Sequence, residues 1–338
     1  MNLIKKVKQL CDIWPIICLR YSEILLAISS VCLLNSCSLS DDRDLCCPGS
    51  SVMLYRYLPY GRDQFREYIH TLNHYLYDQS GHFVGQVEPG RDLQRQPLYL
   101  NEGTYTMITV ANASDFTLLQ HSGDEKLDKF FLSTAIRNKS VPDAIYNGDE
   151  LYWGIKRFIV DDKGFTKSLE KDDEDVPTQI VTFMNNIHCH LQIRVEWTNM
   201  PPYIGEYELE LEGIATRYSM NPDYALTTGN GEFIVPSGDH HTSHTLSVPL
   251  KSRELYGEFI TLRYTDDNIP VLHIRFGEKE ITPPIDLSRA FRSWGWRPSN
   301  THVQDYRIRL VIRGNGSVDV SPDISATVED WVNGGIFG

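Results

Sequence analysis

Long apolar runs are scarce in this sequence, and so are cysteine, clustered basic charge and the signatures of catalysis. No stretch reaches the roughly 20 apolar residues that a helix needs to cross a bilayer. Basic residues are outnumbered, 32 Lys and Arg against 45 Asp and Glu, for a net charge of -13. An acidic chain without a basic cluster repels nucleic acid on average, so no nucleic-acid partner is expected. There is no nucleophile elbow, Gly-rich phosphate loop, zinc-protease helix or paired CxxC. Carboxylates are too abundant to single out a catalytic pair. The chain reads as a non-enzyme with no cofactor.

What the N-terminus does have is an order of charge followed by grease. Lys5, Lys6, Lys8 and Arg20 precede an apolar run from Ile24 to Leu34, and Asn35-Ser36-Cys37 follows it. That run covers about ten residues, half of a membrane span, so it reads as the core of a secretory signal and not as an anchor. Leu34-Asn35-Ser36-Cys37 fits a lipobox, with Asn35 bulkier and more polar than is usual. Cleavage between Ser36 and Cys37 would leave a free α-amine and a thiol. The sulfur is the atom that takes diacylglycerol, and more than one acyl chain is what makes anchoring stable. Residues 1–36 are therefore expected to be a lipoprotein signal peptide, with Cys37 as the lipidated residue. The leader is long and carries Glu23 before its apolar run; the alternative, a buried N-terminal helix, would break at Trp14-Pro15. The leader holds four basic residues against Asp12 and Glu23, a net of +2, so its removal takes the charge from -13 to -15.

Of seven cysteines, Cys11, Cys18 and Cys32 leave with the leader and Cys37 takes the lipid, so Cys46, Cys47 and Cys189 remain. An odd number excludes a full disulfide framework. One bridge from Cys189 to Cys46 or Cys47 is allowed in an oxidising compartment, and three free thiols are the other arrangement.

The mature chain is longer than a single core usually grows, which predicts two domains. Residues 37–50 are polar and acidic and read as a tether. From Val52 onward, short alternating or β-rich runs are broken by turn residues at intervals of about ten. Val52 to Tyr57, Ile69 to Tyr77, His82 to Val87, Thr104 to Ala111 and Leu151 to Val160 are the strands of the first half, with Asp78 to Gly81 as a hairpin turn. Leu127, Phe130, Phe131 and Thr134 have helical spacing and predict one short helix over Glu125 to Ala135. The charged run from Asp161 to Pro177 lacks the glycine and terminal glutamate of a calcium loop and reads as a linker. The domains are then 51–176 and 177–338. The second half repeats the rhythm in Ile187 to Trp197, Tyr207 to Glu212, Phe233 to Val235, Thr245 to Leu250, Phe259 to Tyr264, Val271 to Phe276, Lys279 to Ile285 and Tyr306 to Arg313. Hairpins without intervening helices predict antiparallel sheets and an all-β fold of two tandem Greek-key sandwiches.

Two residue groups invite chemistry. In a strand, His188 and His190 point to one face and Cys189 to the other, but a metal needs a third ligand, which Asp239, His240, His241 or His244 could supply only if the fold brings them near. Those lie in a Ser-Gly-Asp-rich loop and read as solvated, so no metal is expected. Trp294-Gly295-Trp296 is the densest aromatic group, and its two indoles are candidates for glycan contact; the alternative is a packed sandwich edge.

The order of features carries a resemblance. The lipobox is followed by Leu45-Cys46-Cys47-Pro48, Val52 to Tyr57, the hairpin His74 to Phe83, then Leu100-Asn101-Glu102-Gly103-Thr104-Tyr105, Val110-Ala111-Asn112, Asn185-Asn186-Ile187, and Ile308 to Ile312 with Val328-Glu329-Asp330-Trp331 at the end. This resembles the FimB-like anchor family of type V fimbriae over nearly the whole mature chain. The resemblance implies two transthyretin-like domains in a non-enzymatic lipoprotein at the base of a fimbrium. Such a protein would be lipid-anchored in the outer membrane and exposed at the cell surface, would fix the fimbrium there and end its growth, with shaft or accessory subunits as partners. A minor or tip subunit, or a surface lipoprotein that binds a host protein or glycan, is the alternative. It also implies strand exchange, a form of β-augmentation. The retained first strand would be Val52 to Tyr57, a donor segment would lie within Val318 to Phe337, and Arg43, Arg56 and Arg62 are candidate cleavage sites. The acidic residues behind Cys37 resemble a surface-export signal, with a plain solvated linker as the other reading.

Overall fold

The period-2 rhythm of the sequence becomes strands over most of the chain. The structure, a computed structural model, describes residues 51–120, 126–127, 130–134, 144–145, 148–169, 178–219, 225–228, 231–234, 236–237 and 242–323. In chain order the strands are β1 (Ser51–Arg56), β2 (Leu72–Asp78), β3 (Phe83–Val87), β4 (Arg95–Leu98), β5 (Gly103–Ala111), β6 (Thr117–Gln120), β7 (Phe131–Thr134), β8 (Ala144–Ile145), β9 (Tyr152–Val160), β10 (Thr166–Ser168), β11 (Gln179–Phe183) and β12 (Asn185–Asn186). There follow β13 (His188–Trp197), β14 (Glu206–Ile214), β15 (Arg217–Ser219), β16 (Ala225–Thr228), β17 (Gly231–Ile234), β18 (Pro236–Ser237), β19 (Thr242–Pro249), β20 (Glu254–Leu262), β21 (Val271–Phe276), β22 (Lys279–Glu280), β23 (Ile285–Asp286), β24 (Gln304–Ile312) and β25 (Val318–Pro322). The α-helices among the described residues are α1 (Phe65–Tyr68) and α2 (Leu287–Trp294). Neither is long and apolar enough to cross a membrane. The fold is all-β, built of sheets stacked over apolar cores.

In the first half, one sheet is ordered β10-β9-β5-β2-β3 and another β11-β1-β4. The larger sheet is covered on both faces. Leu72, Leu76, Met107, Ala111 and Tyr152 pack with Met53, Tyr55 and Ile180, whereas Tyr75, Tyr77, Ile108, Val110 and Trp153 pack with Phe130, Leu132, Ile187, Tyr218 and Leu262. A sheet with no wet face reads as consecutive apolar residues, which is why Leu76-Tyr77 and Val110-Ala111 break the alternation.

In the second half, the sheet β20-β13-β24-β25 and the sheet β22-β21-β14-β19-β8 share one core. Here alternation is clean. Leu191, Ile193 and Val195 of β13, Leu209 and Leu211 of β14, and Ile308 and Leu310 of β24 are all buried, and Leu287 and Phe291 of α2 join them. Each such side chain contributes about 1.5–3 kcal/mol when fully buried. Asp286 caps α2 by accepting the Ser288 N–H at 3.0 Å, and Gly295 ends it in the left-handed region at φ 75°.

Several expectations change. The sheets are mixed and not antiparallel throughout: β1 is parallel to β11, β13 to β24 and β19 to β8. Parallel neighbours need long crossovers, and the chain between β13 and β24 runs through β14 to β23 and α2. The helix expected over Glu125 to Ala135 gives way to a strand at residues 131–134, paired with β6. Phe130 and Leu132 are buried, and the Arg217 guanidinium lies 4.9 Å over the Phe131 ring, so a strand accommodates the apolar spacing by covering its outward aromatic. The run from Lys279 to Ile285, read as one strand, holds two short pairings that lead into α2.

Of the run read as a linker, Asp161 to Gly164 is the turn between β9 and β10. Asp161 Oδ1 accepts the N–H groups of Lys163 at 2.9 Å and Phe165 at 2.8 Å, and Gly164 has φ 81°. Residues 170–177 lie outside the described set. Beyond them, β11 and β12 pair with β1 and β9, so the first strands after residue 177 extend sheets of the first half.

Candidate functional site

Cys37, Ser36, the tether and Cys46 and Cys47 lie outside the described residues, as do Arg43 and residues 324–338. The first described element is β1, which is held from every side. It lies between β11, parallel, and β4, antiparallel. Ser51 Oγ accepts the Thr166 N–H at 2.9 Å and donates to the Gly164 carbonyl at 3.2 Å. The Tyr55 hydroxyl sits 3.0 Å from Thr109 Oγ1 and 3.2 Å from His74 Nδ1, and burial pushes its phenol far above the usual range. Arg56 ends the strand. Arg62, six residues on, is exposed and pairs with Glu67 at 3.4 Å. At the other end of the chain, β25 runs antiparallel to β24 as the last strand of its sheet, so the first residues of the expected donor segment pair within their own chain.

Trp294 and Trp296 flank Gly295 where α2 stops. Both are half-buried against the second core. Their centroids are 4.8 Å apart with the planes at 69°, Trp296 stacks on Tyr306 at 5.0 Å, and Phe291 meets Trp296 edge-on at 5.0 Å. The two indoles do not lie side by side as a flat platform.

β13 carries the two histidines as its alternation predicts. Cys189 points into the core, free and fully buried, and burial pushes its thiol well up. His188 and His190 share the opposite face with ring centroids 5.3 Å apart. Glu150, which directly precedes the buried Leu151 and β9, meets them there. Its Oε1 is 3.1 Å from His190 Nε2, and Glu258 Oε1 is 3.5 Å from His190 Nδ1. His188 Nδ1 lies 2.9 Å from the Leu151 carbonyl. Burial holds the His188 imidazole down at about 4, so at neutral pH it is uncharged and donates its Nδ1–H to that carbonyl. Burial also pulls His190 down, but the adjoining Glu150 carboxylate, with Asp305 and Glu258, outweighs it and holds His190 above its ordinary value. Contact with His190 lowers Glu150 in turn, against the effect of its own burial.

No sequence pattern points to Glu150, which lies far upstream of β13. His244, expected in a solvated loop, is instead fully buried in β19, edge-on to Phe259 at 4.9 Å, and burial holds its imidazole down at about 3. His240 and His241 lie outside the described residues.

The sequence profile of the fimbrillin-A associated anchor proteins Mfa1 and Mfa2 matches residues 43–333. Among solved structures, the chain is similar to the fimbrial anchor protein Mfa2 from Porphyromonas gingivalis, at 16% identity and a TM-score of 0.52, covering 81% of this chain and 95% of that one. It is similar to a proposed adhesin from Bacteroides thetaiotaomicron at 15% identity and a TM-score of 0.55, covering 82% and 98%. A proposed polysaccharide-binding protein of the same organism gives 14% identity and a TM-score of 0.57, again covering 82% and 98%. At these identities the likeness is one of fold. No curated protein matches the sequence.

Proposed function

The chain belongs to the family of fimbrillin-A associated anchor proteins, and on that premise we propose that it is a lipid-held anchor that attaches a type V fimbrium to the outer membrane and limits its length. In this reading the signal peptide 1–36 is cleaved after Ser36, Cys37 is acylated, and residues 37–50 tether two sandwich domains, 51–176 and 177–338, to the cell surface. The work is non-enzymatic. Partners are shaft or accessory subunits, joined by strand exchange in which an unpaired sheet edge accepts backbone hydrogen bonds from another chain.

The observation that supports an anchor over a shaft subunit is β1. It follows the tether directly and is hydrogen-bonded to a strand on each side, with Val52, Met53 and Tyr55 buried. A subunit that keeps this strand keeps its own groove closed. Deleting the gene tests the reading: fimbriae are expected to lengthen and to be shed, and normal length with normal attachment would end it. Mass spectrometry of the native N-terminus is the second test. A lipidated Cys37 is expected; a start after Arg62 would make the chain a minor or tip subunit.

A glycan-binding surface lipoprotein is the second reading, favoured by the paired indoles and by the polysaccharide-binding description of one structural neighbour. Glycan-array binding that disappears in the Trp294→Ala, Trp296→Ala double variant would support it; silence of the wild-type chain on the array would remove it.

A further inference from the structure

Glu150, His188 and His190 bring one carboxylate oxygen and two imidazole nitrogens within 4.8 Å of one another, and we propose that they form a binding site for a divalent transition metal of the zinc class. Two imidazoles and a carboxylate are a donor set that zinc accepts, with its fourth position left to water. Zinc bonds of roughly 2.0–2.1 Å put tetrahedral ligand atoms about 3.3 Å apart. The 3.1 Å between His190 Nε2 and Glu150 Oε1 already matches that spacing. Only the approach of the third donor has to close.

The surroundings fit coordination better than a simple ion pair. His190 Nε2 is buried and stands 3.1 Å from Glu150 Oε1, yet the pair is not aligned as a well-formed hydrogen bond. An optimised ion pair would aim the ring N–H at the oxygen; donors around a shared cation aim at the cation instead. An ion pair also has no use for a second imidazole beside it, with its ring centroid 5.3 Å away. The His188 Nδ1 lies 2.9 Å from the Leu151 carbonyl, a contact that fixes the ring and leaves Nε2 as the position open to a metal. Orientation of a ligand histidine by a backbone carbonyl is a recurrent outer-shell arrangement of metal sites. The Asn186 amide, 3.1 Å from His188 Nε2, is the group a metal would displace.

The backbone beneath the site is held as well. Asn112 Nδ2 donates to the carbonyls of Glu150 at 3.1 Å and Tyr68 at 2.7 Å. Asp149 accepts from the Ser114 and Thr117 hydroxyls, both at 2.6 Å. Glu150 comes from the lead into β9 and the histidines from β13, so a bound metal would cross-link the first-half sheet to the second-half sheet.

Isothermal titration of the full-length, metal-stripped chain with zinc chloride tests the site, with thermal unfolding and the visible spectrum of the cobalt(II) form as independent readouts. One equivalent of zinc is expected, with a higher unfolding temperature and a cobalt spectrum of four-coordinate type. His190→Ala should weaken binding about tenfold or more. Glu150 is exposed, so Glu150→Gln should leave the fold intact and give the same loss. Absence of stoichiometric zinc binding, or equal binding in a folded Glu150→Gln or His190→Ala variant, overturns the proposal.

Discussion

Among the described residues, His74, His188 and His244 are buried and held in their neutral form, which weakens the fold in acid. Burial holds His74 and His188 at about 4 and His244 at about 3, against about 6.5 in an unfolded chain. The unfolded state therefore takes up these protons first as pH falls. Their contribution is complete above the unfolded value and drains away as pH drops toward the folded values. At pH 5 the loss is on the order of 2 kcal/mol for each group. His190 has the opposite sign: its raised value adds stability below the unfolded value, and that contribution is lost as pH rises through the folded one. Urea denaturation at pH 7 and pH 5 should show a clear drop in midpoint at the lower pH, and His244→Phe should shrink it.

A second residue-scale constraint lies at Gly154. A Cβ there would stand 2.8 Å from Met184 Sδ, 2.9 Å from Thr182 Cγ2 and 3.2 Å from the Phe183 carbonyl. This is where β9 approaches the chain around β11, and one of the three neighbours is backbone. Gly154→Ala is expected to cost about 1–3 kcal/mol, read as a lower denaturation midpoint with an unchanged slope.

At the scale of elements, α2 offers the cleanest single test. Its N-cap is the side chain of Asp286, which accepts from both the Ser288 N–H and the Ser288 hydroxyl. Asp286→Ala should cost about 1 kcal/mol in chemical denaturation. The helix is hard to read from the sequence because its neighbours are strands and the stretch is only eight residues long. β13, β14 and β24 were legible because each has one buried face, and period 2 survives in the residue order. β4 was not legible, since Pro97 reads as a strand breaker; it is tolerated at the outer position of the sheet β11-β1-β4. In the histidine cluster the i, i+2 spacing revealed the shared face of His188 and His190. Glu150 reaches them only through tertiary packing, and the aim of the Trp294 and Trp296 ring faces likewise depends on Phe291 and Tyr306.

At the scale of the whole molecule, the prediction concerns where the chain is found. Under the anchor reading, Cys37→Ala should release folded protein from the membrane fraction without lowering its unfolding temperature, because the cysteine precedes the first described strand. Fractionation with circular dichroism of the released chain checks both halves of that statement. A variant that stays membrane-bound would remove the lipid from the account. The acidic charge of -13 for the full chain adds that contact with an anionic surface is not what would hold it there.

One consequence of the arrangement around β1 is mechanical. The strand is clasped along its length by β11 on one side and β4 on the other, with its hydrogen bonds perpendicular or slanted to its axis. Tension entering at Ser51 along that axis loads these bonds together, in shear, and does not peel them off one at a time. The first strand is thus suited to bear a steady pull, and rupture there would require the whole clasp to slip at once.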